Sequence, residues 1–493
     1  MDKSVDRPHA VHSTDAEKQV VEHEHTPQTA QDWDGPNDPE NPFNWPTWKK
    51  AYHTMASAVL GFSVTCGSSL ITPSFAQIEE DFHTSITATA LTLSLFVLGL
   101  GLGPIIAAPI SEIWGRAVVY RSTAVIWLFF ILGAGFSTSF GSLLVCRLLA
   151  GLAGGPCLAV GAGTNADMYR PHQRAVASTF YVMMPFLGPA IGPVVGGFTA
   201  AYKTWRWSQW STIFIGLFAL AMVLPMSETY KKVLLKRRAK KLGLAAPASV
   251  NVPLSAQLKT LFTITLIRPL RMLCSEPIVI LFSLYNAMGF SIMFSFFEAY
   301  PYVFESVYGF NTWQYGLTFL ALGLGVVIAA ATAIAVDRTY YTRHYKLAVA
   351  QGRKQVDPEY RLLIGQIGSV GIPIGLFWFA WTSRSDIHWI VPTLAGIPFA
   401  WGNLCIFICG ALYLIDVYGP LNGASAIAAN GVLRYGMGAA FPLFVVQMYR
   451  ALGIGWATSL LGFITVAMMP IPFIFFGFGP RIRARSGLST VSI

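Results

Sequence analysis

The sequence predicts an all-α membrane protein whose twelve transmembrane helices form two pseudo-symmetric six-helix bundles. Three observations lead to this prediction. Of the 493 residues, 54% are hydrophobic and only 12% are charged, whereas soluble domains carry about 25% charged residues. Twelve apolar stretches are long enough to span a bilayer, and one strongly basic segment divides them into two sets of six.

The spans are predicted from their length, because a helix needs about 20 apolar residues to cross a hydrocarbon core about 30 Å thick. In the first half of the chain the qualifying stretches are 52–73, 89–110, 118–138, 142–165, 175–200 and 207–226. In the second half they are 277–300, 313–336, 362–382, 387–415, 424–447 and 453–476. An even number of spans places both ends of the chain on one side of the membrane.

The distribution of basic residues predicts which side this is, because short cytoplasmic loops are enriched in lysine and arginine. With both termini in the cytoplasm, the inner loops and tails hold Arg116, Arg121, Arg170, Arg174, Lys231, Lys232, Lys236, Arg237, Arg238, Lys240, Lys241, Lys259, Arg268, Arg271, Arg338, Arg343, Lys346, Arg353, Lys354, Arg361, Arg481, Arg483 and Arg485. The outer loops then hold only Lys203, Arg206, Arg384 and Arg450. We expect this multi-pass protein in the plasma membrane, with a vacuolar or other internal membrane as the alternative.

Two tails and a linker lie outside the predicted bundles. Residues 1–46 are polar and lack the apolar stretch of a signal peptide, so they are predicted to form a disordered cytoplasmic tail. The other predicted parts are the N-terminal bundle 47–226, the linker 227–275, the C-terminal bundle 276–480 and the tail 481–493. Residues 228–242 mix leucine and valine with basic residues, which favours a helix lying on anionic lipid. No soluble domain surrounds this segment, so nucleic-acid binding is not expected.

A short charged motif follows the second span of each half. Glu112, Gly115 and Arg116 occupy this position in the first half, and Asp337 and Arg338 occupy it in the second. Glu112 and Arg116 are predicted to pair and to latch an inner gate that opens when the two halves rock against each other. The alternative is a surface pair that serves topology alone and contributes about 0–1 kcal/mol. The repetition of the motif favours the gate.

The fifth span contains the sequence GPAIGPVVGG, in which glycine and proline recur about every four residues. Its characteristic residues are Gly188, Pro189, Gly192, Pro193, Gly196 and Gly197. This spacing places three glycines on one flank, where the backbone of another helix can approach closely. The prolines cannot donate a backbone hydrogen bond, so the span is predicted to be bent or locally unwound beside them.

Two charged residues lie within predicted spans, where a charge is costly and indicates function. Arg147 is predicted to face protein or water and to hold a relay water or an anionic group of the substrate. Its alternative is a side chain that reaches the membrane interface. Glu298 is flanked by aromatic residues, and burial there would favour its neutral form, so that it could take up and release a proton. Its alternative is an ordinary interfacial position.

A candidate pocket for an amphipathic compound consists of Tyr285, Asn286, Phe297, Tyr300, Trp401 and Asn403. Core packing or an interfacial aromatic belt is the alternative for each of them. The sequence contains no P-loop, no dinucleotide-binding glycine pattern between a strand and a helix, no metal-ligand spacing and no catalytic triad pattern. We therefore expect no enzymatic activity, no cofactor and no metal, and an ion or substrate gradient as the source of energy.

Several segments make the chain resemble the major facilitator superfamily over about residues 45–485, and within it the fungal twelve-span drug:proton antiporters that include multidrug and polyamine exporters. The matching segments are PISEIWGR, RLLAGLAGG, GPAIGPVVGG, WRWSQW, SETYKKVLLKRRAKKL, SEPIVILFSLYNA, HWIVP and FPLFVVQMY. The resemblance implies the major facilitator fold, proton-driven export, Arg147 as a coupling residue, and Glu112 and Arg116 as an inner gate. The sequence departs from the family pattern at Ala108, Ile113 and Ala117, where the family has a glycine and two basic residues.

The primary hypothesis is a secondary transporter that exports a small organic compound, a drug or a metabolite, in exchange for protons by alternating access. The alternatives are a uniporter or proton-coupled transporter of an organic acid and, from another class, a transport-inactive membrane receptor on the same scaffold. The expected partners are the lipid bilayer, a small-molecule substrate and protons, and the protein is expected to be monomeric.

Overall fold

The computed structural model describes residues 32–170, 173–244, 266–353, 356–484 and 486. Every regular element in these ranges is a helix. Ten helical stretches among them are long and apolar enough, by length and composition, to cross a membrane. The other two predicted spans correspond to the helix Arg206–Val223 and to the stretch that follows a break at Gly419. The all-α, twelve-helix fold class is thereby confirmed.

The spans are numbered in chain order. Span 1 is Thr47–Ser69, extended by a 3₁₀ turn at Thr72–Ser74 and by the helix Phe75–Phe82. The rest of the first half consists of Ile86–Trp114 (span 2), Arg116–Gly135 (span 3), Phe140–Gly154 with Pro156–Met168 (span 4), Arg174–Tyr202 (span 5) and Arg206–Val223 (span 6). The linker contains the helices Lys231–Leu242 and Arg268–Ser275.

The second half begins with Pro277–Tyr308 (span 7), Thr312–Thr318 with Leu320–Val336 (span 8) and Leu362–Thr382 (span 9). A π-helical turn at Asp337–Tyr341 and the helix Thr342–Ala350 follow span 8. The helices Ile390–Leu394, Gly396–Ala440, Pro442–Met468 and Ile471–Ala484 contain spans 10 to 12. Their divisions lie at Gly419 (φ 63°) and Gly453 (φ 76°), where glycine permits a left-handed backbone and the chain reverses direction.

Local sequence explains where several spans begin. The hydroxyls of Ser85 and Ser139 accept hydrogen bonds from the backbone N–H groups of Ala88 and Ser142, which caps spans 2 and 4. Asn311 and Gln314 form a capping box at the start of span 8. These short-range signals agree with the hydropathy pattern, so the predicted boundaries lie close to the observed ones.

The two halves meet along span 2 with span 11 and along span 5 with span 8. We call the end of the assembly that carries residues 32–46 and 481–484 the tail side, and the opposite end the far side. On the far side the hydroxyl of Tyr315 donates to the carbonyl of Pro73 at 3.4 Å. There, too, the amide of Gln447 donates to Thr87 at 2.6 Å. Residues of the two halves thus contact each other directly on the far side.

The predicted disordered tail 1–46 needs a correction, because residues 32–46 fold against the helix Lys231–Leu242, which we call the linker helix. The side chain of Arg238 forms ion pairs with Asp34, with Asp38 at 2.7 Å and with Glu40 at 3.6 Å. Burial opposes ionisation of Asp38. The hydrogen bonds from Arg238 and from the N–H groups of Asp34 and Glu40 outweigh it, so its pKa lies below the usual value. Residues 1–31 lie outside the described residues.

The linker helix was expected at 228–242 with its apolar side chains on lipid. The helix is present as Lys231–Leu242, but Val233, Leu235 and Ala239 are buried within the protein itself. The folded tail segment pairs with the buried Arg238 of this helix, and Lys231 binds Asp32 at 2.6 Å. These three side chains are therefore covered by protein rather than left to the membrane surface, whereas Leu242 is exposed.

Candidate functional site

The glycine flank of span 5 faces span 1. A Cβ atom at Gly188 would lie 2.7 Å from the carbonyl oxygen of Phe62, and one at Gly192 would lie 2.8 Å from that of Cys66. A Cβ at Gly196 would collide with the carbonyl oxygen of Leu70. Gaps this small admit no side chain, so the glycines allow the two helix backbones to touch, as the spacing predicts.

The next glycine contacts the other half of the protein. A Cβ at Gly197 would lie 2.9 Å from the carbonyl oxygen of Thr312, and one at Gly316 would lie 2.6 Å from that of Pro193. Span 5 therefore packs closely on span 1 with one flank and on span 8 with the adjacent one. The helix remains continuous through Pro185, Pro189 and Pro193. Of the two predicted alternatives, a bend or local unwinding, the unwinding is not observed, and the bend stays a prediction.

The first predicted gate pair is arranged differently from the prediction. Arg116 meets the carboxylate of Asp167 at 3.4 Å and the hydroxyl of Ser111 at 2.8 Å, whereas Glu112 is exposed. Asp167 ends span 4, at the same level as Arg116 at the start of span 3. The preferred partner is thus distant in sequence, and the prediction considered only the adjacent acid.

A carboxylate that the sequence reasoning missed completes this cluster. Glu228 accepts hydrogen bonds from the N–H groups of Arg116 at 2.9 Å and Ala117 at 3.2 Å, at the N-terminus of span 3. A Cβ at Gly115 would lie 2.9 Å from one of its carboxylate oxygens. Gly115 therefore provides the room for an anion at a helix N-terminus. An acid immediately after span 6 was the available sequence signal.

The second half repeats the arrangement. Arg361, at the start of span 9, binds Asp337 at 3.0 Å and Asp416 at 3.0 Å, and its guanidinium lies 3.4 Å from the ring centre of Tyr341. Arg338 is exposed. In each half, an arginine that begins the third span thus binds an aspartate near the end of the fourth. The expected Asp337–Arg338 pair is replaced because Arg338 faces outward.

Arg147 lies inside the first bundle and is fully buried. Its guanidinium donates to the carbonyls of Gly67 at 2.9 Å, Ser68 at 2.8 Å and Thr92 at 3.0 Å. It also lies 4.3 Å from the ring centre of Phe96. The side chain therefore joins spans 1, 2 and 4 and does not reach the membrane interface. Its partners among the residues that the structure describes are three carbonyl groups and one ring.

Glu298 is buried in span 7, with 8% of its surface exposed. Its Oε1 atom has no hydrogen-bond partner among the described residues. A buried carboxylate oxygen without a donor is uncommon in folded proteins, because an unsatisfied polar group is costly. The structure thus places Glu298 in the protein interior rather than at an exposed interface.

Each of the six candidate pocket residues contacts a neighbouring helix. Tyr285 donates to the carbonyl of Ser369 on span 9 at 3.4 Å. The rings of Tyr300 and Phe379 stack at 5.1 Å, and Trp401 donates to Thr332 on span 8 at 3.1 Å. The other three contact neighbouring helices too: Phe297 stacks on Phe319, Asn286 lies beside Gly410 and Asn403 beside Gly289. These side chains contact different neighbours within the C-terminal bundle, and the pocket stays a prediction.

One charged residue within the spans was overlooked altogether. Arg434 lies in span 11, inside the predicted stretch 424–447, and contacts aromatic rings of spans 7, 10 and 11. The rule that selected Arg147, namely a charge within an apolar span, applies equally to Arg434.

Comparisons with known proteins agree with this architecture. A family model described as Major Facilitator Superfamily matches residues 57–442. The chain is 40% identical over 479 residues to Polyamine transporter 4 of Saccharomyces cerevisiae, an alignment covering 92% of this chain and 72% of that protein. It is 37% identical over 461 residues to Efflux pump radE of Floropilus chiversii, covering 92% and 84%.

A solved structure of the proton:xylose symporter XylE bound to 6-bromo-6-deoxy-D-glucose superposes with a TM-score of 0.63. The superposition covers 88% of this chain and 96% of that chain at 16% sequence identity. This likeness concerns the fold alone.

Proposed function

The chain belongs to the Major Facilitator Superfamily and is a membrane transporter of small organic compounds rather than an enzyme, and from this premise we propose that it exports them in exchange for protons. Both termini lie in the cytoplasm, so the tail side is the inner side, and the protein acts as a monomer in the plasma membrane. The basic residues of the tail-side loops support this orientation.

Alternating access is supported by the repeated ion clusters of the tail side. Each cluster, Arg116 with Asp167 and Arg361 with Asp416, joins helices of one half only. Arg174, at the start of span 5, is attracted to Asp167 of its own half and to Asp416 of the other, and it is repelled by Arg361 of the other half. The clusters keep each half rigid, and Arg174 is the charge that both share. Separation of the halves at this end costs the Arg174 interactions and leaves the two clusters intact.

The buried position of Glu298 is the observation that supports proton coupling. It is an embedded carboxylate with an oxygen free to bind a proton, on a helix that lies in the middle of the C-terminal bundle. Taking up a proton removes the charge of the buried group, and releasing it restores that charge. A transporter that moves only when Glu298 changes its charge couples transport to the proton gradient. Arg147 supports this cycle by holding spans 1, 2 and 4 together.

The proposal is tested with the full chain in proteoliposomes, using a compound found in a growth screen of an exporter-deficient host. We expect an imposed pH gradient to drive transport and a protonophore to abolish it. Glu298→Gln should flatten the dependence of transport on pH, because glutamine cannot titrate. The control is Glu305→Gln, which removes an exposed acid of the same helix. Transport that is unchanged by the protonophore contradicts proton exchange. An unchanged pH profile of Glu298→Gln shows that Glu298 is not the coupling group.

A further inference from the structure

Arg434 occupies an aromatic box near the middle of the molecule. It lies about midway between the breaks at Gly419 and Gly453 that delimit span 11. Its guanidinium carbon is 4.8 Å from the ring centre of Phe290 on span 7, 4.7 Å from that of Phe407 on span 10, and 4.4 Å from that of Tyr435. We call Arg434 and these three rings the aromatic box. The rings bind the cation through their faces.

Within the described ranges, the hydrogen-bonding capacity of this arginine is unused. The buried Nε atom of Arg434 has no hydrogen-bond partner, and no carboxylate of the described chain lies within ion-pair distance of the guanidinium. One helical turn toward the tail side, the buried amide nitrogen of Asn430 also lacks a partner among the described residues. A guanidinium has five N–H donors at its edge, so the box presents donors without acceptors.

The box lies where the two halves meet. The ring of Phe407 packs against Phe186 of span 5 at 5.0 Å, and a Cβ at Gly101 of span 2 would lie 2.6 Å from the Cβ of Tyr435. Beside the box, a Cβ at Gly431 would meet no atom within 4 Å, so there is open space on the same stretch of span 11. Arg434 itself is partly exposed. Because Arg434 is partly exposed while its Nε is buried, a small molecule can reach the side chain at its exposed atoms.

We propose that the aromatic box binds the anionic group of an aromatic substrate, so that the transporter prefers organic anions to polycations. This assignment rests on the proposed transport function and names its substrate class. A carboxylate or sulfonate fits the unused donors of Arg434 in a two-point arrangement, while the partly exposed ring of Phe407 packs on the apolar part of the molecule. A polyamine brings its positive charges to an uncompensated arginine, which repels it.

Arg147 cannot take this role in the observed arrangement. Its guanidinium is fully buried, and three backbone carbonyls already accept its hydrogen bonds. Arg434 is partly exposed, and its contacts within the described part of the chain are with rings. Arg147 therefore links helices of the first bundle, whereas Arg434 is open to a ligand.

The experiment measures equilibrium binding to the purified full chain in detergent, without any proton gradient. The probes are 1-naphthalenesulfonate and 1-naphthyltrimethylammonium, which have the same ring system and permanent, opposite charges. We expect the protein to bind the sulfonate more tightly. Arg434→Gln should weaken sulfonate binding about 10- to 100-fold, the loss expected for hydrogen bonds to a charged group, and should leave ammonium binding equal or stronger.

Two further variants separate the site from general effects. Arg434→Lys keeps the charge but loses the two-point geometry, so an intermediate affinity for the sulfonate is expected. Arg384→Gln removes an exposed arginine whose partner is Asp386, and it should bind both probes like the unmodified protein. Retained ammonium binding by Arg434→Gln shows that this variant is folded.

Four results would overturn the proposal. Three concern the unmodified protein: equal affinities for the two probes, tighter binding of the ammonium, or no binding of the sulfonate. The fourth is a preference for the sulfonate that persists in Arg434→Gln. Failure of proton exchange gives a different result. In that case binding still depends on Arg434, while transport in proteoliposomes ignores the pH gradient.

Discussion

Span 5 packs directly on span 1 through its glycine flank, and replacing Gly192 by alanine tests this contact. The added Cβ would lie 2.8 Å from the carbonyl oxygen of Cys66 and 3.0 Å from the backbone nitrogen of Leu70, and it would collide with the hydroxyl of Ser69. The serine side chain can rotate away. The two backbone atoms cannot, so the helices must separate by about half an ångström to restore ordinary contact.

Two opposing effects set the size of the change. Alanine is favoured over glycine within a helix by about 1 kcal/mol, because it has less backbone entropy to lose. Forcing an extra carbon into a packed interface costs about 1–3 kcal/mol or more. At Gly192 the packing cost should exceed the helix gain, so we expect a net loss of about 1–2 kcal/mol. Transport should fall as well, since span 5 contacts both span 1 and the other half.

The assay is thermal unfolding of the purified protein in detergent, followed by transport in proteoliposomes. The matched control is Gly477→Ala, another glycine inside a helix, where the added Cβ meets no atom within 4 Å. It should show only the helix gain and a slightly higher Tm. If Gly192→Ala raises the Tm as much as Gly477→Ala does, the backbones of spans 1 and 5 do not touch there and the reasoning is wrong.

Two further predictions concern buried arginines. Arg147→Ala should lower abundance and thermal stability. Three hydrogen bonds to a charged group contribute about 1.5–3 kcal/mol each, and three buried carbonyls lose their donor. Stability is measured by size-exclusion chromatography after heating, and a variant as stable as the parent would show that these bonds contribute little. Acid should release residues 32–46 from the linker helix. The pKa of Asp38 is lowered in the folded protein, so its stabilising effect is complete above its unfolded pKa of about 3.9 and is lost as the pH falls through the folded value. In the parent, hydrogen exchange of this segment should rise below about pH 4. In Arg238→Ala it should be raised already at neutral pH. The control Arg237→Ala changes an exposed side chain and should behave like the parent.

Short-range patterns in the sequence predict a large part of this structure. Apolar stretches of about 20 residues define the spans because a helix is the element that satisfies its own backbone hydrogen bonds in lipid. The spacing of Gly188, Gly192 and Gly196 predicts a smooth flank because side chains four residues apart lie on the same side of a helix. Both features depend on residues close together in the chain, and neither requires knowledge of the partner.

The partners of the charged residues depend on the tertiary structure. Arg116 binds Asp167 rather than Glu112. Asp337 is bound by Arg361 rather than by the adjacent Arg338, and Arg361 also binds Asp416. The sequence shows that these residues lie at the ends of spans on one side, but several acids lie at that level. Which of them meets an arginine is decided by the order in which the helices pack and by the direction in which each side chain points.

The sequence by itself determined the number of spans, their approximate ends, the division into two halves and the glycine flank. Each of these follows from the properties of one segment at a time. Only the tertiary structure decided that Arg147 serves as a link between three helices, that residues 32–46 fold on the linker, and that Arg434 lies among three rings of its own half. These outcomes depend on contacts between residues far apart in the chain, and such contacts are set by the packing of whole helices rather than by the pattern within any one of them.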